Sequence, residues 1–89
     1  MRYEYDPAKS QNNKSKHGID FEEAQELWND DKRLQAPVMR PGEKRYLVIG
    51  TIGEKRWTAI ITYRGETIRI ISVRRARMEE VQRYETEND

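Results

Sequence analysis

Apolar positions in this chain come in short periodic groups separated by polar stretches. Tyr3 and Tyr5 alternate with Glu4, the pattern of a short strand. Asp6-Pro7 predicts a helix start, with Asp as N-cap and Pro at the first helical position. That helix runs to about Lys16 and stops at Gly18. Lys9, Ser10, Gln11, Asn12, Asn13 and Lys14 make it strongly polar, so it is expected on the outside. A second helix is predicted from Asp20, where Asp20 and Glu23 have capping-box spacing. Phe21, Ala24, Leu27 and Trp28 form its apolar stripe, and Glu22, Glu23 and Glu26 face away. The stripe reads as core.

Pro37, Pro41 and Gly42 punctuate an irregular segment with a short edge strand at Leu34–Val38. Three strands are predicted next, at about 44–52, 56–64 and 67–74. Gly53-Glu54 and Gly65-Glu66 each suit a two-residue turn with Gly first. Residues 76–85 read as a final helix with Met78, Val81 and Tyr84 on its apolar side, and an acidic tail expected to fray runs to Asp89.

Two-residue turns set register. The second turn pairs Arg64 with Thr67, Thr62 with Arg69, Ile60 with Ile71 and Thr58 with Val73. The first pairs Arg45 with Thr62, Leu47 with Ile60 and Ile49 with Thr58. Because side chains alternate, one face collects Tyr46, Val48, Trp57, Ala59, Ile61, Tyr63, Ile68 and Ile70, and the helices are expected there. The other face carries Arg45, Thr62 and Arg69 in a row, with Arg64 beside it and Glu43 opposite Arg64. Like charges this close destabilise a sheet, so the cluster suggests an anion site. The alternative is a polar sheet face in which Glu43 pairs Arg64.

Composition narrows the choices. The chain has 89 residues, one small domain over residues 1–89. Charged residues make up 37% and the hydrophobic set 35%, and the mean hydropathy is −1.12. Those values would suit a disordered chain, but the apolar residues concentrate between Tyr46 and Val73 and leave room for a core. With no cysteine and one histidine, His17, disulfides, zinc ribbons, thiol nucleophiles and multi-histidine metal sites are excluded. No apolar run approaches a membrane span, and residues 1–6 carry no signal-peptide core. A cytoplasmic protein that contacts no membrane is expected.

Net charge is only +1, but it is unevenly spread. Asp20 to Asp31 holds six acids and no base, whereas Arg64 to Arg83 holds six arginines against three glutamates. Arginine forks match phosphate oxygens bidentately. No phosphate-binding glycine loop is present, because Gly50 to Gly53 belongs to a hairpin. No cofactor and no metal are expected. What survives is chemistry that works with arginine, lysine, one histidine, tyrosine and carboxylates; metal-free RNA cleavage, in which a 2′-hydroxyl attacks the adjacent phosphate and cations stabilise the developing charge, is such chemistry. Base candidates are His17, Glu43 or a perturbed tyrosine; His17 also fits as a cation closing a helix C-terminus. The acidic second helix argues against a DNA recognition helix.

These residues resemble a known family. Asp6-Pro7-Ala8-Lys9, Asn13, Lys16-His17-Gly18-Ile19 and Phe21-Glu22-Glu23-Ala24 are similar to the opening of the BrnT toxins. The likeness continues in Gly42-Glu43-Lys44-Arg45, Ile49-Gly50, Thr62-Tyr63-Arg64, the run Arg69 to Ala76, Glu80 and Tyr84. It implies a RelE-like α+β fold and a ribonuclease toxin of a type II toxin–antitoxin system. The implied partner is a BrnA-like ribbon-helix-helix antitoxin, with two toxins per antitoxin dimer and promoter DNA bound only through the antitoxin. The α+β fold is expected as a twisted antiparallel sheet with two N-terminal helices on one face and a C-terminal helix.

On the derived registers, Arg64 and Arg69 are expected to hold the scissile phosphate, with Arg45 in support. Glu43 would orient Arg64 or act as base, and His17 and Lys16 would approach from the helix end. Arg74 and Arg75 would bind flanking phosphates or salt-bridge to Glu79 or Glu80. The rival reading is a non-catalytic RNA-binding or scaffold protein using the same face.

Overall fold

A computed structural model describes residues 1–88; the acidic end at Asp89 lies outside them. Five strands form one sheet in the order β1-β5-β4-β3-β2. They are β1 (Arg2–Glu4), β2 (Leu34–Val38), β3 (Arg45–Ile52), β4 (Lys55–Arg64) and β5 (Thr67–Arg75). Helix α1 (Pro7–His17) follows β1, a 3-10 helix (Glu23–Asn29) precedes β2, and α2 (Met78–Glu87) follows β5. Among the described residues no helix is long and apolar enough to cross a membrane.

The two tight turns hold the register expected for them. Arg64 pairs with Thr67, and Ile52 with Lys55. Gly53 and Gly65 take φ values of 63° and 61°, which a side chain would resist. Asp6 caps α1 by accepting from the amides of Ala8 and Lys9.

Four features differ from expectation. The sheet is mixed, because β1 runs parallel to β5, with Glu4 beside Arg69. The second helix is 3-10. Its capping box is present, with Asp20 Oδ1 accepting from the Glu23 amide at 2.7 Å and Glu23 Oε1 from the Asp20 amide at 3.0 Å. Three residues per turn stack Ala24 and Leu27 on one line, and both are buried, as is Phe21 in the turn that leads into the helix. Trp28 is left at the margin, edge-on to Tyr3.

Third, β5 contains a bulge. Ile61 pairs with Ile70 but Ile60 pairs with Ser72, so Ile71 is the extra residue. The expected pairs Ile60–Ile71 and Thr58–Val73 are therefore replaced by Ile60–Ser72 and Thr58–Arg74. Strict alternation would turn Ser72 inward and Val73 outward; the bulge buries Val73 instead. Asn13 secures it. Its Nδ2 donates to the Ile19 and Val73 carbonyls at 2.8 and 2.9 Å, and its Oδ1 accepts from the Val73 amide at 3.2 Å.

Fourth, the helices do not share one face. The core joins Ile19, Phe21, Ala24 and Leu27 to Val48, Trp57, Ala59, Ile61, Ile68, Ile70 and Val73. Helix α2 lies on the opposite face, where Glu80 reaches Thr58 and Tyr84 reaches Thr51. This buries Ile49 and Thr58, and leaves the Arg45–Thr62–Arg69 end of that face without a helix. Tyr63, expected in the core, is 42% exposed, with its hydroxyl donating to Gln35.

Candidate functional site

The uncovered end of the sheet brings together arginines from three strands. Arg69 lies opposite Thr62, and the ladder step after Tyr46–Ile61 brings Arg45 alongside the same threonine. Thr62 is buried and donates to the Lys44 carbonyl at 2.7 Å, which ties the loop before β3 to the row. Arg64 ends β4 with more than half its side chain exposed. The bulge falls beyond these pairs, so the expected row survives it.

The acidic partners are not the expected ones. Glu43 Oε1 is 3.9 Å from Arg45 Nε, and Glu43 does not pair with Arg64. Arg64 instead faces Glu4. A single oxygen, Glu4 Oε2, lies 2.7 Å from Arg69 Nη1 and 3.9 Å from Arg64 Nη1. Arg2, paired with Thr67, falls on this face too. Neither Arg2 nor Glu4 was identified from the sequence. A three-residue strand paired in parallel leaves no turn from which to read its partner, so only the alternation of Tyr3 and Tyr5 was visible.

Lys16 and His17 sit elsewhere on the surface. They are exposed at the end of α1 and line a cleft of about 210 Å³ with Lys9, Asn12, Ile71 and Ser72. None of the three row arginines lines that cleft.

Arg74 and Arg75 diverge. Arg74 makes a fork with Glu80, Nη1 to Oε1 at 2.7 Å and Nη2 to Oε2 at 3.0 Å. This is the salt-bridge alternative for Arg74. Glu80 also accepts from Thr58 Oγ1 at 3.0 Å and from the Arg77 amide at 2.8 Å. Burial pushes the Glu80 carboxyl up, but these bonds and the Arg74 charge outweigh it and hold it at about 2. Arg75 is exposed, with its guanidinium 5.5 Å from the Trp57 ring centroid.

A second anchored cluster fixes the other end of α2. Asp30 Oδ2 accepts from the Tyr84 hydroxyl at 2.6 Å and the Thr51 amide at 2.8 Å. Burial raises the Asp30 carboxyl, yet bonds from Tyr84, Lys32 and Thr51 and the Arg56 charge leave it below the ordinary range. Burial, and then the bond to Asp30, push the Tyr84 phenol up. Both clusters hold α2 against the sheet.

A three-stranded arginine row on a bare sheet face can take a phosphate-bearing ligand. A family model described as the ribonuclease toxin BrnT of type II toxin–antitoxin systems matches residues 5–80. The chain belongs to the BrnT family. As a member of that family it is a ribonuclease toxin of a type II toxin–antitoxin system, for which an antitoxin partner and an RNA substrate are implied. The match takes in every sequence-derived candidate, from Lys16 and His17 to Arg75, and begins one residue after Glu4. No curated protein matches the chain.

Proposed function

We propose that this protein is a metal-independent endoribonuclease whose site is the Arg45–Arg64–Arg69 end of the sheet, and that its activity arrests growth. The supporting observation is the convergence of these arginines on one end of that sheet face, away from the Thr51 and Thr58 contacts of α2, in a chain of a ribonuclease toxin family. Arg64 and Arg69 grip the scissile phosphate. The RNA 2′-hydroxyl attacks phosphorus to form a 2′,3′-cyclic phosphate, the bond to the 5′-oxygen breaks with that oxygen taking a proton from water, and the guanidiniums stabilise the charge that grows on the phosphoryl oxygens. Arg45 supports from the neighbouring strand. Glu43, exposed beside Arg45, takes the 2′-hydroxyl proton in this reading. Lys16, His17 and Arg75 contact RNA flanking the cleaved bond, while Arg74 serves α2 through Glu80.

The neutralising partner in this reading is a BrnA-like ribbon-helix-helix antitoxin, two toxins per antitoxin dimer, with promoter DNA reached only through it. Fold and compartment follow the family resemblance, a RelE-like domain in the cytoplasm.

The test is cleavage of single-stranded RNA by the purified protein in EDTA, beside Arg64→Ala. Losing one transition-state donor lowers the rate by ~10²–10³, so Arg64→Ala is expected to be folded, judged by circular dichroism, and inactive in vitro and in growth arrest. A folded, fully toxic Arg64→Ala protein rejects the assignment. RNA binding without cleavage by the wild type would favour the scaffold reading.

A further inference from the structure

We infer that Glu4 is a positioning residue of the arginine site, setting the separation and orientation of Arg69 and Arg64 through one shared carboxylate oxygen. The inference rests on the site reading above and extends it to a residue outside the matched segment.

The geometry carries it. Glu4 and Arg69 are register partners on adjacent parallel strands. At 2.7 Å the bond between their side chains is short and charge-assisted. Arg69 Nη1 is thereby fixed, and the same Oε2 sits 3.9 Å from Arg64 Nη1 on the next strand. Two guanidiniums this close repel each other. A carboxylate between them offsets that repulsion and leaves their remaining N–H groups free for an incoming phosphate. Oriented donors that need no rearrangement during reaction are what electrostatic catalysis uses.

The position also gives β1 a purpose. A three-residue strand contributes little sheet on its own. Here it delivers one carboxylate to the middle of an arginine cluster and carries Arg2 to the same face.

The experiment compares kcat and KM for RNA cleavage in wild type, Glu4→Ala, Glu4→Gln, Arg69→Lys, the Glu4→Ala/Arg69→Lys double variant and Arg64→Ala, with thermal unfolding of each. Misorienting catalytic donors costs up to ~10²-fold, so kcat of Glu4→Ala is expected to fall by ~10- to 100-fold with KM nearly unchanged. Glu4→Gln keeps an oxygen for Arg69 and is expected to recover kcat to within about tenfold of wild type. In the Arg69→Lys background, removing Glu4 is expected to cost several-fold less than in wild type, because the short 2.7 Å bond to the Arg69 guanidinium is already gone and only the longer contact to Arg64 is left to lose. Wild-type kcat in Glu4→Ala beside an inactive Arg64→Ala overturns the inference and leaves the site reading standing. A loss that tracks a lowered Tm and is not recovered by Glu4→Gln also overturns it, since β1 would then be structural only. Full activity in Arg64→Ala is the different failure, that of the arginine site.

Discussion

Glu80 shows how one side chain links packing to pH. The carboxyl is buried between β4, β5 and α2, which alone would raise it, yet the Arg74 fork and the Arg77 and Thr58 donors lower it from 4.5 to about 2. A carboxyl held below its unfolded value stabilises the fold at pH above about 4.5. That contribution disappears as pH falls from 4.5 through about 2. A shift of this size corresponds to on the order of 3 kcal/mol. Glu80→Gln leaves Arg74 partly buried without its counter-charge, so its Tm at pH 7 is expected to drop by at least about 10 °C. Thermal melts of both proteins from pH 7 to pH 2 are the check. The wild type is expected to lose its advantage across the acid range, and parallel curves would show that the pair contributes nothing.

Among the elements, β5 does the most, and α1 controls it. Before the bulge β5 presents Arg69 to the bare face; after it, Val73 enters the core and Arg74 meets Glu80. Asn13 replaces a missing strand neighbour at Val73 by bonding both its amide and its carbonyl. Without that side chain three buried backbone bonds are lost. An unsatisfied buried group costs about 1–3 kcal/mol, so Asn13→Ala is expected to destabilise the protein by roughly 2–3 kcal/mol in urea unfolding. A loss below about 0.5 kcal/mol would show that the Val73 backbone is satisfied without it. Glycine at position 50 has a related origin, for a Cβ there would sit 2.9 Å from Leu27 Cδ2, where the 3-10 helix crosses β3.

For the molecule as a whole, the small net charge conceals a polar division. The Asp20–Asp31 segment carries six acids, while Arg2, Arg45, Arg64 and Arg69 share one sheet face. In the proposed function this face binds RNA with release of counterions, which gives a log–log salt slope of about −0.7 for each phosphate neutralised on a single strand. Binding of a 2′-O-methyl RNA, which lacks the attacking hydroxyl, is therefore expected to weaken steeply with salt. Arg45→Ala is expected to reduce that slope by about 0.7. An unchanged slope in Arg45→Ala would remove Arg45 from the RNA contacts.

Local chemistry made much of this readable in advance. The Asp6 cap, the Asp20–Glu23 capping box, the two Gly-first turns and the Thr62–Arg69 and Arg64–Thr67 pairs all arise from interactions among residues close in sequence. The Thr62–Arg69 part of the arginine row follows from a two-residue turn close by, which leaves the strands little freedom of register, and Arg45 stays in line because the β3–β4 ladder runs without a bulge from its turn to Tyr46–Ile61. Farther from the turns that control lapses. The bulge at Ile71 depends on Asn13, 60 residues from Val73, and on the gain from burying Val73 rather than Ser72. The parallel pairing of β1, the transfer of α2 to the opposite face and the exchange of Glu43 for Glu4 beside Arg64 are likewise contacts between distant segments. No local preference distinguishes among such partners. They are selected by which arrangement buries the apolar side chains while leaving each buried polar group a partner.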